Sequence, residues 1–269
     1  MRSEMRSSCG ESFDRRQVGR TIHKSIDFYG GCKQMQETSA QRAYDYLRNC
    51  LVQGEFLPGA RIRYGPVGKK LGISATPVRE AIGQLANEGF VELVPQLGAV
   101  VRQISRDEVI ELYELREAIE PYATARAAER IEQSQLDQIG KQLDRMTQLT
   151  ERTRQSSSRS VPKKTVRSFE QADLAFHMLI IEATGNRTML RTVGNSHLLT
   201  GIFSVARHGY DAGVMQATCD DHRRILTSLQ RKKPDAARDA MAVHIRNGLE
   251  ISLAGITDDD HRWWDASTR

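Results

Sequence analysis

Cysteine pairs, long apolar runs and, beyond residue 103, strand-like alternation are all missing from this chain of 269 residues. The four cysteines, Cys9, Cys32, Cys50 and Cys219, form no C-x-x-C pair, which argues against a disulfide framework and against a thiolate metal site. Cys50 falls on an apolar helix face, so buried or idle thiols in a reducing cytosol are expected. No apolar stretch approaches the roughly 20 residues needed to span a bilayer, and residues 1–38 lack the apolar segment of a signal peptide. The expected setting is the cytoplasm, with no membrane partner. Without alternation in the downstream part, that region is expected to be all-helical.

The length suits about two domains, each able to bury its own core. The net charge of +5 is unevenly placed. Lys and Arg outnumber Asp and Glu eight to five over 39–103 and seven to one over 145–167, which leaves the rest of the downstream region acidic. A basic head suits a polyanion. Residues 1–38 are polar and mixed in charge without a sustained period, and read as a poorly ordered arm.

The run from Gly72 to Val91 carries the most information. Thr76 has the chemistry of a helix N-cap and Pro77 suits a first helical position, so a new helix is expected right after the turn at Gly72. Val78, Ile82, Leu85 and Ala86 share one face of it and leave Arg79 and Gln84 free to point elsewhere, the outline of a recognition helix. Upstream, Ala43, Leu47, Cys50 and Leu51 repeat at helical spacing, Gly54 to Gly59 breaks that helix, and a short helix runs from about Pro66 to Leu71. After Gly89 the period changes: residues 90–94 and 99–102 flank the turn from Pro95 to Gly98 as a two-stranded ribbon. Three helices and a ribbon over 39–103 make a winged helix-turn-helix.

Residues 40–103 also resemble the DNA-binding domain of GntR-family transcription regulators. The likeness rests on Gly54, Leu57 to Gly59, Leu71, Gly72, Ser74, the run from Thr76 to Ala81, Leu85, Gly89 and Gly98. It implies a double-stranded DNA operator as partner. The expected contacts are Ser74, Thr76, Arg79 and Gln84 from the turn and recognition helix, and Gly98 where the wing nears the minor groove. Arg61, Arg63, Lys69 and Lys70 suit phosphates. Two departures stand out: Ala75 replaces an arginine common in the family, and Gly65, Pro66 and Gly68 should weaken the second helix. A single winged domain reads too few base pairs to find one site in a genome, so a homodimer on an inverted repeat is expected.

The second region, 104–255, opens with a capping-box spelling at Ser105 and Glu108. Its first helix is expected to run through Val109, Leu112, Leu115, Arg116 and Ile119 and to bend at Pro121. Further helices read over 135–153, 169–184, 187–208, 214–230 and 234–254. A basic, serine-rich loop covers 154–166, and a tail with Trp263 and Trp264 covers 256–269. Asp173 and His177 lie four apart, so their side chains can converge; His222 and His244 sit on two later helices beside Ile225, Leu226, Val243 and Ile245. Three imidazoles and a carboxylate suit zinc, nickel, manganese or iron. The spacing alone fits hydrogen-bonded core histidines as well.

Residues 105–254 resemble the helical effector (FCD) domain of the FadR-type GntR regulators, through Leu112 to Glu120, Asp173 to His177, Ala183 to Asn186, Asp221, His222 and Ala242 to His244. In its metal-binding branch an Asp-x-x-x-His pair and two later histidines hold a divalent ion, which implies Asp173, His177, His222 and His244 here. The resemblance further implies a small carboxylate effector. Arg116 would either clamp it or pair with Glu120 one turn on. Asn186 and Arg207 are further effector contacts, with helix capping the alternative for Asn186. His197 and His208 have no matching partners and read as surface or satisfied histidines. The expected whole is a mainly α, dimeric, ligand-responsive transcription regulator without catalysis. A metal-dependent hydrolase remains the competing class, although no general base stands beside the ligands, and a purely structural metal is the third reading.

Overall fold

The computed structural model describes residues 38–156, 161–204 and 210–254. Among these are nine helices and one three-stranded sheet. The expectations for the arm before Thr38, for Cys9, Cys32, Arg207 and His208, and for the tail with Trp263 and Trp264 lie outside the described residues.

Helix α1 (Ser39–Val52) starts at Thr38, whose hydroxyl accepts from the Gln41 N–H. It buries the anticipated stripe of Ala43, Leu47, Cys50 and Leu51, with Tyr44 added. Strand β1 (Arg61–Ile62) follows, then α2 (Tyr64–Leu71), α3 (Ala75–Asn87), β2 (Val91–Val94) and β3 (Gly98–Val101). Both short helices begin earlier than their prolines suggest. The N-cap positions belong to Arg63 and Ser74, which puts Pro66 and Pro77 third in their helices and Thr76 second. A proline fits there because the first amides of a helix have no intrahelical acceptor to lose. Thr76 is therefore not the cap expected of it. Gly68 serves a steric need: a Cβ there would lie 2.8 Å from the Ile73 carbonyl oxygen, so the tight passage into α3 requires bare backbone. Gly72 closes α2 in the left-handed region, with φ 67°. In α3 the buried residues are Val78, Ala81, Ile82 and Leu85, with Ala81 in the place expected for Ala86.

The wing has three strands where two were read. Their order is β1-β3-β2, antiparallel throughout, with Ile62 opposite Ala99 and Val91 opposite Val101. Two residues are too few for alternation to be legible, which is why β1 escaped notice. Just after β3, Arg102 pairs with Glu108 and donates to the Gly89 carbonyl at 3.3 Å. Glu108 also completes the capping box on Ser105, so one carboxylate ties the wing to the first helix of the second region.

Six helices follow: α4 (Arg106–Arg130), α5 (Gln133–Gln155), α6 (Lys163–Glu182), α7 (Arg187–Ser204), α8 (Ala212–Gln230) and α9 (Pro234–Ala254). Helix α4 continues through Pro121. It lies along α9 and touches α6, α7 and α8, while α5 packs on α6 and α8. Its inward stripe is Val109, Tyr113, Arg116, Glu120, Thr124 and Ala127, while Leu115 is exposed. The buried side of this helix is partly polar, and those polar residues build the site. No helix among the described residues is long and apolar enough to cross a membrane.

Candidate metal centre and nucleic-acid interface

Asp173 and His177 on α6, His222 on α8 and His244 on α9 converge, with ligand atoms that all lie within 4.8 Å of one another. The three imidazoles are buried and Asp173 is half-buried. The outer nitrogens of His222 and His177 settle how those two rings present themselves. His222 Nδ1 donates to the Thr218 carbonyl at 2.7 Å; a carbonyl only accepts, so in the neutral ring Nε2 keeps its lone pair. That Nε2 is buried without a hydrogen-bond partner, 3.2 Å from Asp173 Oδ1. His177 Nδ1 lies 2.5 Å from Glu120 Oε2, which turns its Nε2 inward to within 3.1 Å of His244 Nε2. His244 Nδ1, also without a hydrogen-bond partner, is 3.7 Å from Asp221 Oδ2. The His222 lone pair and Asp173 Oδ1 therefore face each other as two acceptors, a conflict that a cation removes, whereas His177 and His244 share one hydrogen bond whose direction follows the His244 tautomer. Nitrogens bound to one ion at about 2.0–2.1 Å stand roughly 3.0–3.4 Å apart, so the spacing of His177 and His244 fits.

Electrostatics agree with neutral rings beside ionised carboxylates. Burial, aided by the neighbouring imidazoles, pushes His177 and His244 down to about 4, against the pull of Glu120, Asp173 and Asp221. Burial works to raise the Asp173 carboxyl, but His222, His177 and His244 together outweigh it and hold the group well below the usual carboxylate range. These imidazoles bind fewer protons folded than unfolded between about 4 and the unfolded value near 6.5. Their contribution to stability is thus present above about pH 6.5 and lost as pH falls through about 4. Melts of chelator-treated protein from pH 7.5 to 4.5 should show Tm falling across that window, and metal affinity should fall with it. A melting temperature flat over the window would contradict neutral buried rings.

Behind this centre lies a second layer that sequence reasoning undervalued. Glu120 is fully buried and accepts from Arg116 Nε at 2.7 Å, His197 Nε2 at 3.0 Å and His177 Nδ1 at 2.5 Å. His197 is thus a buried, satisfied histidine inside the site and not a surface one. The signal was the four-spaced row Arg116, Glu120 and Thr124 on the inward stripe of α4. A cavity of about 100 Å³ adjoins the cluster, lined among others by Arg116, Asp173, His197, Tyr113, Arg167 and Val52. Asn186 stays away from it: exposed, it caps α7 by accepting from the Thr188 and Met189 amides.

On the winged domain Arg61, Arg63, Lys69, Lys70, Ser74, Thr76 and Arg79 are all exposed. The Arg79 guanidinium lies 5.8 Å from the Tyr64 ring centre, and a Cβ on Gly98 would lie 4.0 Å from the Tyr64 hydroxyl, so Tyr64 stands between the recognition helix and the wing. Gln84, expected at the DNA, also makes a contact within its own helix. It is half-buried and donates to Glu88 at 3.1 Å, whose other oxygen accepts from Tyr44 of α1, so it serves helix packing. Lys70 is partly engaged over the Tyr46 ring at 4.9 Å.

A winged-helix DNA-binding module followed by an all-helical domain defines a class of transcription regulator, and comparison with known proteins specifies it. The FCD domain model matches residues 111–247 and that of bacterial regulatory proteins, gntR family, matches residues 39–101. The chain belongs to the GntR family and carries an FCD domain. It is 28% identical over 225 residues to the HTH-type transcriptional repressor RspR of Escherichia coli, covering 83% of this chain and 92% of that protein. It is 27% identical over 208 residues to a probable D-xylose utilization operon transcriptional repressor of Paenarthrobacter nicotinovorans, covering 77% and 86%. Among solved structures, E. coli McbR/YncC shares the fold with a TM-score of 0.69 and 18% identity over 81% of this chain and 98% of that one. A putative GntR regulator from Rhodococcus sp. RHA1 does so with a TM-score of 0.66 and 19% identity, covering 81% and 99%. The protein is a DNA-binding transcription regulator, and its relatives are regulators and not enzymes.

Proposed function

We propose that this regulator responds to a small carboxylate bound beside a divalent metal held by Asp173, His177, His222 and His244. The observation that carries the reading is the inward set of Nε2 atoms, facing Asp173 and one another, with His222 Nε2 buried beside the Asp173 carboxylate and without a hydrogen-bond partner. Zinc, nickel, manganese and iron all suit such a donor set, and the ion would supply positive charge and open coordination positions to an anion. The chain's own residues do the rest. Arg116 engages Glu120 through Nε alone in the described contacts and also lines the cavity, so the pairing with Glu120 and a carboxylate clamp are compatible.

The cavity also explains a route to DNA. Val52, the last residue of α1, lines it together with Arg167 of α6, and the Arg167 guanidinium lies against Gly54, where a Cβ would come within 2.5 Å of Nη2. An occupant therefore meets both the helical bundle and the end of the first DNA-domain helix, and by favouring one arrangement it shifts the pose of the winged domain. With an operator fragment selected from random DNA, a panel of short carboxylates should include one that changes affinity for the metal-loaded protein and not for chelator-treated protein. Operator affinity indifferent to metal and to every acid would overturn the reading.

Arg79 is assigned to a base edge or phosphate in the major groove, with Ser74 and Thr76 at the turn, Gly98 bringing the wing to the minor groove, and Arg61, Arg63, Lys69 and Lys70 serving phosphates. A base contact is worth about 1–3 kcal/mol, so Arg79→Ala should weaken operator binding roughly 5- to 150-fold. Wild-type footprints should cover two inverted half-sites, as a homodimer requires. A mutant footprint equal to wild type at the same salt would remove Arg79 from the interface.

A further inference from the structure

Glu120 lies outside the ligand set, yet its two oxygens divide their partners in a telling way. Oε1 accepts from Arg116 Nε and His197 Nε2, which both belong to residues of the cavity wall. Oε2 accepts from His177 Nδ1, whose ring turns its other nitrogen to the candidate metal centre. One fully buried carboxylate thus touches the cavity wall with one oxygen and a metal ligand with the other.

We propose that Glu120 is a positioning residue that holds His177 in its metal-binding tautomer and links that ligand to the arginine and histidine of the effector cavity. The inference rests on the metal reading above. A carboxylate on Nδ1–H leaves the lone pair on Nε2, fixes the ring and makes it a stronger donor. On the cavity side, an anion that draws on Arg116 changes what Oε1 must share, so ligand and metal bias each other through the same group. Glu120, His177 and His197 also lie close enough to hold a cation themselves. The Arg116 guanidinium already supplies positive charge at that carboxylate, and the ring nitrogens facing it are donors, so the trio acts as a hydrogen-bond hub.

The test uses the full chain, nickel as probe and Glu120→Gln, which keeps the shape but presents an amide NH2 on one side. Nickel affinity, measured by competition with a chelator, should weaken about 10- to 100-fold, with one ion per wild-type chain. In metal-free wild-type protein, ¹⁵N-resolved imidazole spectra should show His177 protonated on Nδ1. A purely structural Glu120 predicts a lower Tm for the variant with nickel affinity within twofold of wild type, and that result would overturn the proposal. So would His177 protonated on Nε2, a measurement that stands even if the variant fails to fold. Two nickel ions per wild-type chain would make Glu120 a ligand and would overturn it too. Wild-type protein that binds no nickel, zinc or manganese would instead sink the metal reading, with the tautomer measurement still deciding the role of Glu120.

Discussion

Phe176→Ala should destabilise the helical domain by about 3–5 kcal/mol, the usual range for deleting a buried phenylalanine ring. Phe176 is completely buried on α6, one residue before the candidate ligand His177. Its ring meets the His222 imidazole edge-on with centroids 4.3 Å apart. The substitution therefore opens a void and removes the wall that holds a second ligand in place. Urea unfolding should show the full loss, and metal content should fall in the same preparation. A loss below about 1 kcal/mol would mean that the site collapses freely around the gap, which a preorganised centre does not do.

Arg116→Ala should cost a comparable amount for a different reason. Arg116 and Glu120 form a buried pair, with side chains 5% and 0% exposed. Removing one member leaves a buried carboxylate facing only imidazoles, and breaking such pairs costs about 3–5 kcal/mol. Replacing Glu120 by methionine as well removes the stranded charge but also the acceptor of the buried His177 and His197 N–H groups, so the double variant should recover only part of the loss while failing to bind carboxylates. Equal unfolding midpoints for wild type and Arg116→Ala would show that Glu120 is sufficiently stabilised without the guanidinium.

Much of this architecture was legible because apolar periodicity records it directly. The stripe of α1 and most of that of α3 could be read residue by residue, and Ser105 with Glu108 announced the start of α4. Legibility failed where burial and hydropathy part company. On α4 the apolar Leu115 is exposed, while Arg116, Glu120 and Thr124 are buried; a polar network inside a bundle reverses the pattern on which periodicity depends. His197 was passed over for the same reason, since its partner Glu120 lies 77 residues away and no local spacing joins them. Thr76 was mistaken for a cap because both it and Ser74 have capping chemistry and only the backbone distinguishes them. The convergence of Asp173, His177, His222 and His244 was suggested by a family resemblance, and the lone pairs that give it meaning emerge only from the contacts of the outer ring nitrogens.

The most direct test of the account is the metal content of full-length protein purified without chelator, read beside paired thermal melts with and without chelator. One divalent ion per chain is predicted, with a Tm that drops when the ion is removed, because an ion that binds the folded chain alone adds its affinity to stability. His222→Ala and His177→Ala should abolish both the ion and the chelator effect. Wild-type protein that stays metal-free after exposure to zinc, nickel, manganese and iron, and melts at the same temperature with or without chelator, would contradict the account and leave these residues as ordinary core histidines.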